Sequence, residues 1–239
     1  MSRRLPSLQP PSCKEIIQRL RALGNPADVE GMVRFGIRPE KAFGVRAPVL
    51  KKMAREIGRH HRLARELWVT GILEARAIAT MIEEPERVTE SQAERWLKDF
   101  DNWANCDGCC LYLFAHVPFA WRKAFEWSRR EREFEKRAAF SLVACLTVHD
   151  RTATNEKFLK FLPVIKRGAS DGRNFVKKAV NWALRQIGKR NLMLNRAAIR
   201  TARKIQKLGT PSARWVAADA LRELTSAAVQ ARLHRARAT

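Results

Sequence analysis

The chain has 239 residues, with 47 Lys plus Arg against 24 Asp plus Glu, a formal net charge of +23. An excess of this size repels itself in the compact state and calls for a polyanionic partner, nucleic acid before an anionic membrane surface. No segment approaches the ~20 apolar residues of a spanning helix, which weighs for nucleic acid over a membrane.

Residues 1–11 carry Arg3 and Arg4 with no apolar stretch behind them. They read as a flexible N-terminal arm and not as a secretory signal. The expected location is cytoplasmic, in a bacterium and associated with the nucleoid. Helical signals then recur along the chain, and strand signals do not. Ser12 with Glu15 forms a capping box, and Gly24 ends that helix. A second helix covers 26–34, and a turn runs from Arg38 to Gly44. Pro48 stands at a first-turn position of a helix closed by Gly58. Further helices are expected from His61 to Val69 and from Glu74 to Glu83. Thr89 with Gln92 makes a second capping box leading to Phe100.

Longer helices follow at about 103–115, 118–130, 132–149, 153–168, 172–188 and 193–208. Thr210 and Pro211 open a last one over 211–226. Residues 227–239 are rich in Ala and Arg and read as a basic C-terminal tail. Connections are short, and a helix with its neighbour takes roughly 35–45 residues, a helical-repeat length. The expected fold is all-α: an α-solenoid of stacked antiparallel HEAT-like helix pairs, with 12–226 as a single domain.

Cysteine does not suggest disulfides or a metal. Cys106, Cys109 and Cys110 cluster, but a zinc site needs a second ligand group, and His116 and His149 are not at finger spacing. The cysteines read as small buried apolar residues. No metal and no cofactor are expected, and the protein is expected to be a monomer.

From Lys166 to Lys207 there are 13 Lys or Arg and one acid, Asp171. Lys177, Lys178, Asn181 and Arg185 share one helix face, and Trp182 lies at helical spacing from Lys178 and Arg185. Arg196, Arg200, Arg203, Lys204 and Lys207 form a second stripe on the next helix. Solvated faces usually mix signs, and this segment hardly does. It reads as a groove that tracks phosphates, with Lys177, Lys178 and Arg185 among the contacts.

Trp103, Asp107, Cys110, Leu111 and Phe114 fall on one face of the helix that starts at Trp103. A carboxylate in such a stripe must be paired or used. One reading is a structural ion pair with Arg137. The other is a catalytic carboxylate in the basic groove. Metal-dependent nucleases need several carboxylates, and the nearest, Asp101, is off this face. One carboxylate with aromatic walls suits cleavage of an N-glycosidic bond, whose transition state resembles an oxocarbenium ion.

The chain resembles the AlkD-type DNA alkylation-repair glycosylases, built from HEAT-like repeats. The resemblance rests on Trp103 and Asp107, on the Lys136 to Phe140 segment, and on the run from Val176 through Arg185 to Asn191. Phe35-Gly36-Ile37 and the run from Phe43 to Pro48 fit more loosely. It implies a glycosylase that releases cationic alkylated purines, of the 3-methyladenine and 7-methylguanine type, from duplex DNA by hydrolysis without flipping the base. It implies Asp107 as the catalytic carboxylate and Trp103 and Trp182 as tryptophans packing on the lesion's deoxyribose. Arg137, Arg185 and Lys51 would contact phosphates. Gly108, Cys109 and Cys110 make the surroundings of Asp107 smaller than in the family. The alternative is a non-catalytic HEAT-repeat protein that binds DNA by its structure.

Overall fold

A computed structural model describes residues 11–238, with side chains for 11–235. The N-terminal arm expected over 1–11 lies outside them but for Pro11. The described residues form fourteen α-helices and two short 3-10 turns, with no strand. The helices group into two compact units, one ending at Arg87 and one starting at Val88, where the sequence suggests a single domain over 12–226.

The first unit holds α1 (Cys13–Ala22), α2 (Pro26–Val33), α3 (Ala47–Ile57), α4 (His61–Val69) and α5 (Leu73–Ile82). The first capping box is present: the Glu15 amide donates to Ser12 Oγ at 3.3 Å, and the Ser12 amide donates to Glu15 Oε2 at 2.7 Å. α5 packs against α4, α3 and α1, because Ile78, Ala79 and Ile82 give it a fully buried face. Its first turn carries the buried Glu74. The amides of Phe43, Gly44 and Val45 donate to Glu74 Oε1 at 3.1, 2.7 and 3.2 Å. Gly44 has φ +81°, and a Cβ there would lie 2.1 Å from the carbonyl oxygen of Asn25, so only glycine fits this loop.

The second unit holds α6 (Glu90–Lys98), α7 (Trp103–Tyr112), α8 (Ala120–Trp127), α9 (Glu133–His149), α10 (Asn155–Gly168), α11 (Asn174–Gly188), α12 (Leu192–Gln206), α13 (Pro211–Leu224) and α14 (Ala227–Ala238). Two layers emerge. In the odd-numbered layer α7, α9, α11 and α13 lie side by side in that order. In the even-numbered layer α10 lies beside α12, and the rings of Trp121 and Phe125 on α8 meet Phe158 and Phe161 on α10. Each even-numbered helix packs across onto an odd-numbered one, as in HEAT-like pairs. α9 is the central element: its run from Ala138 to Leu146 is buried on every side.

Two expectations need correction. The helix expected over 103–115 ends at Tyr112, and Phe114–His116 form a 3-10 turn. Leu113 leaves the helical region at φ −128° and ψ −65°. The bend buries Phe114 against Phe100 and Trp127, ring centroids 6.3 and 5.3 Å away. The C-terminal segment from 227 is not a loose tail through 238 but helix α14. Leu233 is buried, and Gln230 Nε2 donates to Asn195 Oδ1 at 3.1 Å.

Glu74→Ala leaves three loop amides without their acceptor. We expect a loss of at least about 3 kcal/mol in urea unfolding, since each orphaned buried donor costs about 1–3 kcal/mol.

Candidate functional site

Asp107 sits at the second turn of α7, whose N-terminus is capped by Asn102: the Asn105 amide donates to Asn102 Oδ1 at 3.0 Å. The buried face of α7 is Asn105, Cys106, Cys109 and Cys110. Asp107 is therefore not inside an apolar stripe. Trp103, Asp107 and Leu111 form a half-buried row at its edge, one turn apart. Cys106 and Cys110 aim their thiols at the carbonyls of Phe134 and Ala138 on α9, at 3.7 and 3.5 Å. These small residues let α7 approach α9 closely and so bring Asp107 within reach of α9 side chains.

Arg137 on α9 meets Asp107 in a bidentate fork. Nε donates to Oδ1 at 2.9 Å and Nη2 to Oδ2 at 2.6 Å. Ser141, one turn further along α9, donates from Oγ to Oδ1 at 2.8 Å. The Arg137 side chain is 7% exposed and that of Asp107 21%. Three of the roughly four lone-pair positions of the carboxylate are taken, and a fifth of the side chain stays exposed. Burial works against the charged guanidinium of Arg137, but the Asp107 carboxylate outweighs it and holds the pKa above the usual value.

Arg137 also donates from Nη1 to the carbonyl of Phe175 on α11, at 2.6 Å. Its guanidinium thus points into the protein between three helices. A buried arginine with each of its three nitrogens already donating within the protein is not placed to meet a phosphate, and the ion pair with Asp107 is the arrangement present. The charge sets that outcome: on a buried stretch of α9 the cation needs an anion, and Asp107 is within reach.

α11 buries Val176, Val180, Ala183, Leu184 and Ile187 on one side. Phe175, Lys178, Trp182, Arg185 and Lys189 lie on the other, Lys178 exposed and the rest half-buried. Trp182 is two turns beyond Phe175, and α9 stands between its helix and that of Asp107. Asn181, expected with the cations, is buried and donates to Asp219 Oδ2 on α13 at 2.6 Å. Arg185 pairs with Glu223 on α13, and Lys189 Nζ lies 2.6 Å from Glu223 Oε1. Lys189 and Arg185 lower the Glu223 pKa against the opposing effect of burial. Lys177 lies over the Trp215 ring at 5.3 Å, and Trp215 is 40% exposed. Lys51 is exposed on α3, in the other compact unit.

Asp171, before α11, is held by Arg173 at 2.9 and 2.6 Å and by Lys136 at 3.2 Å. Arg173 above all lowers its pKa from the usual 3.8 to about 2. The cations on this layer are thus largely matched by carboxylates. Ser141, Glu223 and Asp219 escape a reading of the sequence. Ser141 alone leaves a signal, as a hydroxyl four residues after Arg137 in an apolar run.

Arg137→Met should cost about 3–5 kcal/mol in urea unfolding, because it strands the Asp107 carboxylate and the Phe175 carbonyl. For Asp171 the folded pKa is depressed, so its stabilisation is present above about pH 4 and fades toward about pH 2. Wild type should therefore melt above Asp171→Asn near neutral pH, and the gap should close across that window. A gap that persists at pH 2 contradicts it.

The model of the family described as DNA alkylation repair enzyme matches residues 16–224. No curated protein matches the chain. A solved structure described as "A new family of proteins related to the HEAT-like repeat DNA glycosylases with affinity for branched DNA structures" superposes with a TM-score of 0.73. It shares 24% sequence identity and covers 81% of this chain and 83% of its own. That likeness establishes the HEAT-like fold. Over nearly its whole described length, this chain belongs to the DNA alkylation repair enzyme family.

Proposed function

We propose that the protein is a DNA glycosylase that releases cationic alkylated purines, of the 3-methyladenine and 7-methylguanine type, from duplex DNA. The single observation that carries this reading is the Asp107 carboxylate. It is fixed at 2.9 and 2.6 Å by a buried arginine, steadied by Ser141 at 2.8 Å, and still 21% exposed. A carboxylate held this way loses little freedom when charge develops beside it. Hydrolysis of an N-glycosidic bond builds positive charge on the sugar, and a cationic base is already a good leaving group.

Asp107 stabilises the sugar cation and orients the water that captures it. Trp103, one turn earlier in the same half-buried row, offers an aromatic wall to the deoxyribose. Arg137 and Ser141 are positioning residues, acting through Asp107. Trp182, Lys178 and Arg185 line the α11 face along which the duplex runs, and Lys177 stands beside it over the Trp215 ring. Lys51, taken by itself on the first unit, is a further candidate phosphate contact. The site reaches the lesion from the helix surface, which fits a base that stays stacked. No metal or cofactor takes part.

A second reading, a structure-specific DNA binder without excision, is favoured by the Asp107–Arg137 ion pair itself, because it gives Asp107 a structural task. The solved structure of similar fold is likewise described by affinity for branched DNA.

The two separate on Asp107→Asn. We expect release of 7-methylguanine from methylated duplex to fall at least about 100-fold, while binding of undamaged duplex, measured on the same folded sample, persists. Equal release by wild type and variant sinks the glycosylase role of Asp107. Absence of release by both supports the binder.

A further inference from the structure

The basic run from Lys166 to Lys207 reads as one groove in the sequence, yet the two layers divide it. α11 and α12 pack on each other through their apolar sides. Lys178 and Trp182 consequently stand on the odd-numbered layer. Arg196, Arg200, Arg203, Lys204 and Lys207 are all exposed on the opposite side of α12 from its buried Leu194, Ala198, Ala202 and Ile205. Between α12 and α10 runs an open groove of about 420 Å³. Leu159, Leu162 and Pro163 line it from α10, together with Lys166, Arg200 and Lys204.

Charge balance differs sharply between the two sides. On the odd-numbered layer Arg137, Arg173, Arg185 and Lys189 are matched by Asp107, Asp171 and Glu223. On the α12 row there is nothing comparable. The chain has no acidic residue between Asp171 and Asp219, and Asp219 and Glu223 are engaged by Arg222 and by Asn181, Arg185 and Lys189 of α11. Five exposed cations on one helix without a carboxylate repel one another unless an outside polyanion neutralises them.

We propose that the α10–α12 groove is a second contact surface for duplex DNA, on the opposite layer from Asp107. This choice of polyanion rests on the reading of the protein as one that acts on DNA. From Arg196 to Lys207 the row runs about 16 Å at 1.5 Å per residue, about five steps of 3.4 Å along one strand. Phosphates meet the Arg and Lys row, and deoxyribose carbons meet the apolar α10 lining. A bilayer is the poorer match, since Leu162 is only 6% exposed and Leu159 half-buried, which leaves Pro163 as the exposed apolar residue of the α10 lining, too little to insert into lipid. Together with the α11 face, this groove lets one molecule contact two duplex segments, such as two arms of a branched structure.

The test is the salt dependence of binding to undamaged duplex by full-length wild type and the variant R200Q/K204Q/K207Q, all three at exposed positions. Each lost phosphate contact lowers the log–log slope by about 0.9, so the slope should fall by about 2–3. K177Q/K178Q on the α11 face should lower it separately, and the combined variant should show the sum. An unchanged slope in R200Q/K204Q/K207Q overturns the proposal. So does an unchanged slope joined to lost binding of phosphatidylglycerol vesicles, which would assign the groove to a membrane. Release of alkylated base is scored independently, on Asp107→Asn. The groove thus stands or falls on the slope, whatever becomes of the excision chemistry.

Discussion

A buried arginine holds the middle of the second unit together. Arg137 leaves the most buried helix of the protein, α9, and ends between α7 and α11. Its charge is compatible with that position only because Asp107 and the Phe175 carbonyl take up its donors. Breaking such a pair costs far more than the pair contributes net. The register of α7 against α9, and of α9 against α11, is therefore tied to one guanidinium. The same contact fixes where the Asp107 carboxylate points.

Structural and chemical tasks fall on the same residues here. A carboxylate that only balanced Arg137 could lie fully buried. Asp107 instead keeps a fifth of its side chain exposed, beside Trp103 in a row that borders the core. The rigidity that the proposed catalysis needs and the pairing needed for folding come from one set of hydrogen bonds. Ser141 completes it from one turn further along α9, where an alanine would have fitted the surrounding apolar run equally well.

Charge is distributed by layer. The odd-numbered layer carries Lys136, Arg137, Arg173, Arg185, Lys189 and Arg222 in networks with Asp107, Asp171, Asp219 and Glu223, which order them but temper their field. The exposed row on α12 consists of cations without a carboxylate on that helix. Uncompensated charge thus gathers on α12, while geometric order is greatest near Asp107. A net charge of +23 describes the sum and hides this division.

Much was legible in the sequence by itself. The all-helical character, most helix positions and the Ser12–Glu15 box follow from local rules of periodicity and capping, which act within a few residues. The importance of Asp107 and the Arg137 alternative were also visible, because an acid among Trp, Cys and Leu is anomalous wherever it folds. Other features required the tertiary structure. Periodicity places Asp107 on a face but does not say how deep that face lies, and packing against α9 put it at the edge. The bend at Leu113 comes from the burial of Phe114, not from any local breaker. Arg185 looks like a free cation in a list of residues. Its carboxylate partner stands 38 positions away and meets it only through helix packing. One basic run became two opposite surfaces for the same reason. Sequence neighbours on successive antiparallel helices share their apolar sides, so their charged sides must face apart.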